Sequence, residues 1–209
     1  MPAGEDSLAH RRHVHSRVIS QSQYSLATPL DLARIFGRKA ALHVDLGCGD
    51  GLFLCEMARR LPNKNFLGVE RLSSRIRSSD RKAASLDNVR LLQMESSYAV
   101  RYLLPPGSVE RFYLLFPDPW PKRRHHRRRI ITSDFLNSVH SALEENGAIY
   151  IVTDDVDYFA GITAIAESSS GFEMGDTDAD LPPSRFGLFF RQRGASIYSL
   201  ALRKISPVT

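Results

Sequence analysis

The feature that most constrains this chain is a short apolar run, Ala40–Leu46, leading directly into Gly47-Cys48-Gly49-Asp50-Gly51. Apolar residues then recur at Leu54, Met57, Ala58 and Leu61 until Pro62. A buried strand, a glycine-rich turn and an amphipathic helix are the elements that such a pattern forms. Glycines at alternate positions of that turn permit positive φ and let a ligand come close to the backbone.

The same unit repeats downstream. Strands are expected over Asn65–Glu70, Val89–Gln93, Arg111–Phe116 and Ala148–Thr153. Helices are expected from Pro29 to Phe36 with Gly37 as the stop, and over Leu72–Ser85, Tyr98–Leu104, Thr132–Leu143 and Val156–Glu167. Asn146-Gly147 reads as a turn, and Arg185–Arg193 with Ser196–Arg203 as a hairpin about Gly194. Alternating strands and helices predict an α/β fold with a mostly parallel sheet, helices on both faces and an antiparallel C-terminal hairpin. Such sheets bind ligands beyond the carboxyl ends of their strands. The chemically suggestive residues fall at those ends: Asp45, Glu70, Glu95, Phe116–Trp120 and Thr153–Asp155.

The glycine spacing distinguishes between ligand classes. A dinucleotide-binding loop would have its third glycine at position 52, which is Leu52. The acids favour a cationic ligand instead. S-adenosylmethionine carries a sulfonium, an ammonium and a ribose diol, which suit Asp45 in the first strand, Gly47 and Gly49 in the loop, and Glu70 and Glu95 at the next strand ends. Glu70 is placed for the ribose hydroxyls and Glu95 for the adenine amino group. A nicotinamide-dependent dehydrogenase is the weaker alternative.

Charge points to a second partner. The chain carries a net +5, and Lys122–Arg129 (KRRHHRRR) holds six Lys and Arg with no acid, so the remainder is close to neutral. One local basic patch suits a polyanion met at one place. It follows Phe116-Pro117-Asp118-Pro119-Trp120-Pro121, whose prolines predict a stiff extended turn. Cations for phosphate beside a rigidly held aromatic are what base chemistry on RNA requires. Neither the histidine pair nor the two cysteines, Cys48 and Cys55, has metal-site spacing, so no metal is expected. No apolar run approaches a membrane span and no signal-peptide pattern is present, giving the expectation of a cytoplasmic protein.

FPDPWPKRRHHRRR, together with VDLGCGDG, GVER and TDD, resembles the bacterial tRNA (guanine-N7-)-methyltransferase family from about Leu42 to Arg203. The resemblance implies a Rossmann-like methyltransferase domain over 29–209, preceded by a flexible basic arm over 1–28. It implies methyl transfer from S-adenosylmethionine to a guanine N7 in the tRNA variable loop. Cofactor contacts are implied at Asp45, Glu70, Glu95 and Asp118, and substrate contacts at Lys122 and Asp154. Near its C-terminus the family has a Thr-x-aromatic-Glu motif; here the stretch is Ser184-Arg185-Phe186-Gly187, with Gly187 where the carboxylate stands.

Guanine N7 offers a lone pair with no proton to lose, so no strong base is needed. Asp118 and Asp154 are the candidates for stabilising the cationic product. Two rival functions remain: a non-catalytic RNA-binding subunit of the same fold, and a methyltransferase acting on an exocyclic amine. A monomer or homodimer is expected.

Overall fold

A computed structural model describes residues 16–176, 181–182 and 184–205. Seven strands form one sheet: β1 (Leu42–Leu46), β2 (Asn65–Glu70), β3 (Val89–Gln93), β4 (Val109–Leu115), β5 (Leu143–Thr153), β6 (Phe172–Gly175) and β7 (Tyr198–Lys204). Their order is β3-β2-β1-β4-β5-β7-β6. The first five are parallel, while β7 runs antiparallel to both β5 and β6. The chain winds outward from β1 to β3, then returns to the other side of β1 with β4. The switch point therefore lies between β1 and β4, where an open α/β sheet forms its ligand crevice.

Successive residues of each strand point to opposite faces, so the core divides in two. Val44, Leu67, Val69, Phe112, Leu114, Ile149 and Ile151 face one way, under α5 (Ser133–Ala142) and α6 (Val156–Glu167). Phe66, Tyr113, Ala148 and Tyr150 face the other, under α2 (Leu52–Arg60) and α3 (Ser73–Ala83). The caps agree with the local sequence. Thr132 accepts the Phe135 amide at 3.1 Å, Asp155 accepts that of Tyr158 at 2.7 Å, and α1 (Leu32–Phe36) stops at left-handed Gly37. The expected helix around Tyr98–Leu104 forms as α4 (Ser96–Tyr98), continued by the π-helical turn Ala99–Leu103.

Three local expectations are corrected. Arg185–Arg193 is not a strand: Arg185–Gln192 is the helix α7, capped by Ser184, which accepts the Gly187 amide at 3.0 Å. The antiparallel partner of β7 within the C-terminal region is β6. Asn146-Gly147 does not separate two elements. It is a bulge inside β5, with Asn146 at φ 62° and a register shift opposite Val109 and Arg111. Of the arm expected over 1–28, residues 1–15 lie outside the described residues. Residues 16–19 run along β3: the Ile19 amide donates to Leu91 O at 2.8 Å, and the Arg17 amide to Asp80 at 2.6 Å.

Gly68 in β2 allows the loop and α2 to sit close to the sheet. A Cβ there would lie 2.6 Å from a Leu54 methyl and 2.8 Å from Cys48 Sγ. Gly68→Ala is therefore expected to destabilise the protein by about 1–3 kcal/mol through overpacking. Denaturant titration checks this, and an unchanged midpoint would mean that the contact between α2 and the sheet yields freely.

Candidate methyl-donor and nucleic-acid site

The loop after β1 is shaped by three glycines at positive φ and by side chains from neighbouring elements. Glu70 ends β2 with its carboxylate turned toward the loop. Its Oε2 accepts the Gly49 amide at 3.2 Å and its Oε1 accepts the Leu72 amide at 2.8 Å, with Arg75 3.6 Å away. Ser79 Oγ donates to Gly49 O at 2.9 Å, and Lys82 pairs with Asp50 at 2.7 Å. At Gly51, φ is +77°, and a Cβ would lie 2.8 Å from Ser79 Oγ, so both the conformation and the space exclude a side chain.

Above this loop is a cavity of about 410 Å³, a size within the usual range for small-ligand pockets. Asp45, Gly47 and Gly49 line one side; Phe53 and Leu115 add apolar surface; Ser184, Arg185, Phe186 and Phe189 close it from α7. Asp45 is 3% exposed. Burial, and then the nearby Glu70 charge, pushes its carboxyl up to about 8. Such an acid is poised to ionise when a cation arrives. Burial likewise pushes the Cys55 thiol up to about 11 and that of Cys48 well above its ordinary value. Both cysteines are therefore packing residues in protonated form.

The predicted site residues do not all converge. Asp45, Gly47, Gly49, Ser184, Arg185 and Phe186 meet at the cavity, and Glu70 braces its loop from behind. Gly187 lies in α7 beside Phe116, where a Cβ would be 3.3 Å from Ser184 Oγ and 3.5 Å from the Phe116 ring. Its φ is not positive, so no backbone strain attaches to this position. Glu95 is elsewhere. Its two oxygens accept the Ser97 and Tyr98 amides as the cap of α4, and it lines a separate groove with Arg127–Arg129.

Asp118 and Lys122 are exposed at the β4 end, and Asp154 is partly exposed at the β5 end. Among the described residues, none of these three side chains has a hydrogen bond or ion pair. They occupy the rim rather than the cavity wall.

The FPDPW turn departs from the extended form expected for residues that precede proline. Phe116 and Trp120 have φ of 54° and 45°. Non-glycine residues in that region are strained by roughly 1–3 kcal/mol each and persist only where their surroundings hold them. Here the surroundings are visible. Phe116 stacks on Phe190 of α7 at 5.3 Å. Arg128 lies 4.9 Å over the Trp120 ring, and His125 meets that ring edge-on at 5.9 Å. Arg129 Nε donates to Pro119 O at 2.8 Å while its guanidinium lies 4.6 Å over Tyr158 of α6.

The basic run is thus divided. It coils as a 3-10 turn over Arg123–Arg128, with Lys122, Arg123, Arg124, Arg127 and Arg128 exposed. Arg129 is turned inward, where it holds the FPDPW turn.

Several cavity residues escaped the sequence analysis: Phe53, Arg75, Leu115 and Phe189. Phe186, Phe189 and Phe190 stand at i, i+3 and i+4, a helical spacing that would have identified α7 and its inward face.

Residues 39–189 match the model of the family described as "Putative methyltransferase". Among curated relatives, the tRNA (guanine-N(7)-)-methyltransferase of Thermotoga maritima is 36% identical over 85% of this chain and 58% of its own. That of Shewanella oneidensis is 34% identical over 74% and 66%. That of Syntrophotalea carbinolica is 30% identical over 86% and 81%. The chain thus spans about three-fifths to two-thirds of the first two relatives and four-fifths of the third. Among solved structures, the 16S rRNA methyltransferase KamB superposes with a TM-score of 0.62 at 16% identity, covering 85% of this chain and 93% of that one. The aminoglycoside resistance methyltransferase NpmB1 does so at 0.57 and 16%, covering 84% and 92%. These two share the fold. With the family model matching most of its length and a relative matched across four-fifths of its own, the chain belongs to the tRNA (guanine-N(7)-)-methyltransferase family.

Proposed function

We propose that the protein transfers a methyl group from S-adenosylmethionine to the N7 atom of a guanine in the tRNA variable loop. One observation carries this reading. The cavity with the buried Asp45 opens at the switch point, and the strand bordering it, β4, continues into a stiffened Trp120 turn and an exposed basic coil. The names of the curated relatives support the substrate.

The residues fit this donor. Asp45 in the cavity wall is a carboxylate for its cationic groups, Glu70 at the edge of the loop is the acid for its hydroxyls, Gly47 and Gly49 leave the backbone open, and Phe53, Phe186 and Phe189 offer apolar walls. When bound, S-adenosylmethionine supplies an electrophilic methyl. The chain supplies the rest. α7 covers one side of the cavity. Arg129 and Arg128 fix the turn that carries Asp118 and Trp120. Orientation of a nucleophile that needs no deprotonation accounts for most of the acceleration. Asp118 and Asp154 answer the positive charge that develops on the base. Lys122 and the exposed arginines hold phosphates, and Ser184, Arg185, Phe186 and Gly187 form the boundary between donor and base. Glu95, which ends the β3 segment and caps α4, is the acid for the adenine amino group in this reading.

Incubation with labelled donor and unmodified tRNA, followed by nucleoside analysis, tests the proposal. 7-Methylguanosine is the expected product. Binding of tRNA without transfer would favour the non-catalytic subunit, and label on an exocyclic amine the other rival.

Donor affinity should depend on pH. A cation in the cavity favours ionised Asp45, whereas the free acid holds its proton up to about pH 8. Affinity is therefore expected to fall as pH falls below 8, by up to about tenfold per unit. Asp45→Asn should flatten this dependence. Calorimetric titrations between about pH 6 and 8 check it, and a flat profile in the parent would remove Asp45 from cation binding.

The basic run should divide in its behaviour as it does in its geometry. Arg127→Gln is expected to lower the salt slope of tRNA binding by about one with little change in stability. Arg129→Gln is expected to lower stability by about 1–2 kcal/mol and to slow turnover, because the Pro119 and Tyr158 contacts are lost. Salt titrations and thermal melts distinguish them; identical effects would show that the run is one uniform solvated face.

At Gly187, a glutamate would complete a capping box with Ser184, its carboxylate reaching back to the Ser184 amide. Gly187→Glu is expected to raise the exchange protection of α7 amides by about 0.5–1 kcal/mol without loss of turnover. Hydrogen exchange measures this. Weaker protection would mean that Ser184 Oγ, 3.3 Å from the new Cβ, cannot give way.

A further inference from the structure

Two grooves away from the donor cavity share Arg101, Asp134 and Ser138. The first, about 330 Å³, has Arg101 on one wall and Arg127, Arg128 and Arg129 on the other. The second, about 450 Å³, continues past Tyr102 toward Pro29 and Pro106. Arg101 belongs to no basic run in the sequence. It projects from the π-helical turn after α4 and reaches both grooves.

The junction combines cationic and exposed aromatic side chains. Arg101 lies 5.3 Å over the ring of Tyr102 and has no ion pair or hydrogen bond among the described residues. Tyr102 is 47% exposed, a large aromatic open to solvent. Its ring is braced by Tyr98 at 4.8 Å, whose hydroxyl donates to Leu26 O at 3.0 Å. Across the groove, Arg128 and Trp120 form a second cation–aromatic pair. Glu95 and Asp134 also line the first groove, but Glu95 has both oxygens occupied by backbone amides, and four guanidinium groups against two carboxylates leave the groove positive.

We propose that this junction is a second RNA-binding subsite, in which Arg101 contacts a backbone phosphate and Tyr102 stacks on an unpaired base. The track would continue from the basic coil, between Arg101 and Arg127, and out over Tyr102. Exposed aromatics held by neighbours are the usual platforms for splayed bases, and unpaired guanidinium groups are the usual phosphate contacts. The proposal rests on the RNA reading above, and the same experiment separates the two.

The test is tRNA binding by the full chain, with an unmodified transcript, over about 50 to 200 mM salt. Arg101→Gln is expected to lower the salt slope by about one, and Arg101→Lys to retain it. Tyr102→Ala is expected to weaken binding by about tenfold at unchanged slope, while Tyr102→Phe binds as the parent does. Donor affinity and melting temperature should stay the same in all four, since both side chains are exposed. A parental slope for Arg101→Gln, when Arg127→Gln lowers it, would overturn the subsite and leave the RNA reading standing. Parental affinity in Tyr102→Ala would also overturn it. Failure of every arginine variant to alter the slope would mean that the RNA reading itself is wrong.

Discussion

Everything at the candidate donor site depends on the Glu70 carboxylate at the end of β2. It takes the Gly49 amide on one oxygen and the Leu72 amide on the other. In one group it ties the loop after β1 to the start of α3, and it does so beside Asp45, another buried acid. Two carboxylates at 3% and 5% exposure repel one another unless one keeps its proton or a cation lies between them. The raised Asp45 carboxyl is the first solution, adopted by the chain alone. A cationic ligand is the second. The pair is tolerable in either state, so its charge can follow whatever enters the cavity.

A second constraint connects the donor cavity to the rim. β4 contributes Leu115 to the cavity wall and, one residue later, Phe116 at positive φ. Phe116 stacks under α7, the helix that closes the cavity, while Trp120 and Pro119 are gripped by Arg128 and Arg129. The strain of the turn is thus borne by contacts on both sides. Arg129 reaches on to Tyr158 in α6, which follows the strand end bearing Asp154. The ends of β4 and β5, each with one rim carboxylate, are held together by a guanidinium group that a sequence reading would assign to phosphate.

Much of this was legible in the residues themselves. Strand–glycine–helix order placed the crevice, and Asp45 and Glu70, expected near strand ends, are found buried beside the loop after β1. Resemblance through FPDPW and the basic run identified the family. What was not legible followed from tertiary contacts. Arg185–Arg193 mixes aromatic and basic residues in a way that suits an edge strand, a reading that hides the helical spacing of 186, 189 and 190. Glu95 looks like its two predecessors in sequence, yet it stands at the start of a helix whose first amides need an acceptor. Its role as the cap of α4 depends on where that helix begins, which the strand-end pattern does not show. Arg129 is indistinguishable in sequence from Arg127 because a repeated residue type carries no information about which copy turns inward.

Position 187 is also a matter of helix capping. A Thr-x-aromatic-Glu stretch is, by its spacing, a capping box: hydroxyl at the cap, carboxylate three residues on. In this chain the hydroxyl half is present and used, with Ser184 accepting the Gly187 amide, and the helix forms without the other half. α7 is therefore held by one cap bond and by aromatic stacking on Phe116. Stacking on a strained turn couples the helix to whatever occupies the rim. α7 therefore rests on the turn that carries Trp120, and the two pack as one unit. In a chain lacking the carboxylate, that stacking acts with the Ser184 cap bond and the Arg185–Asp50 contact to hold α7 in place.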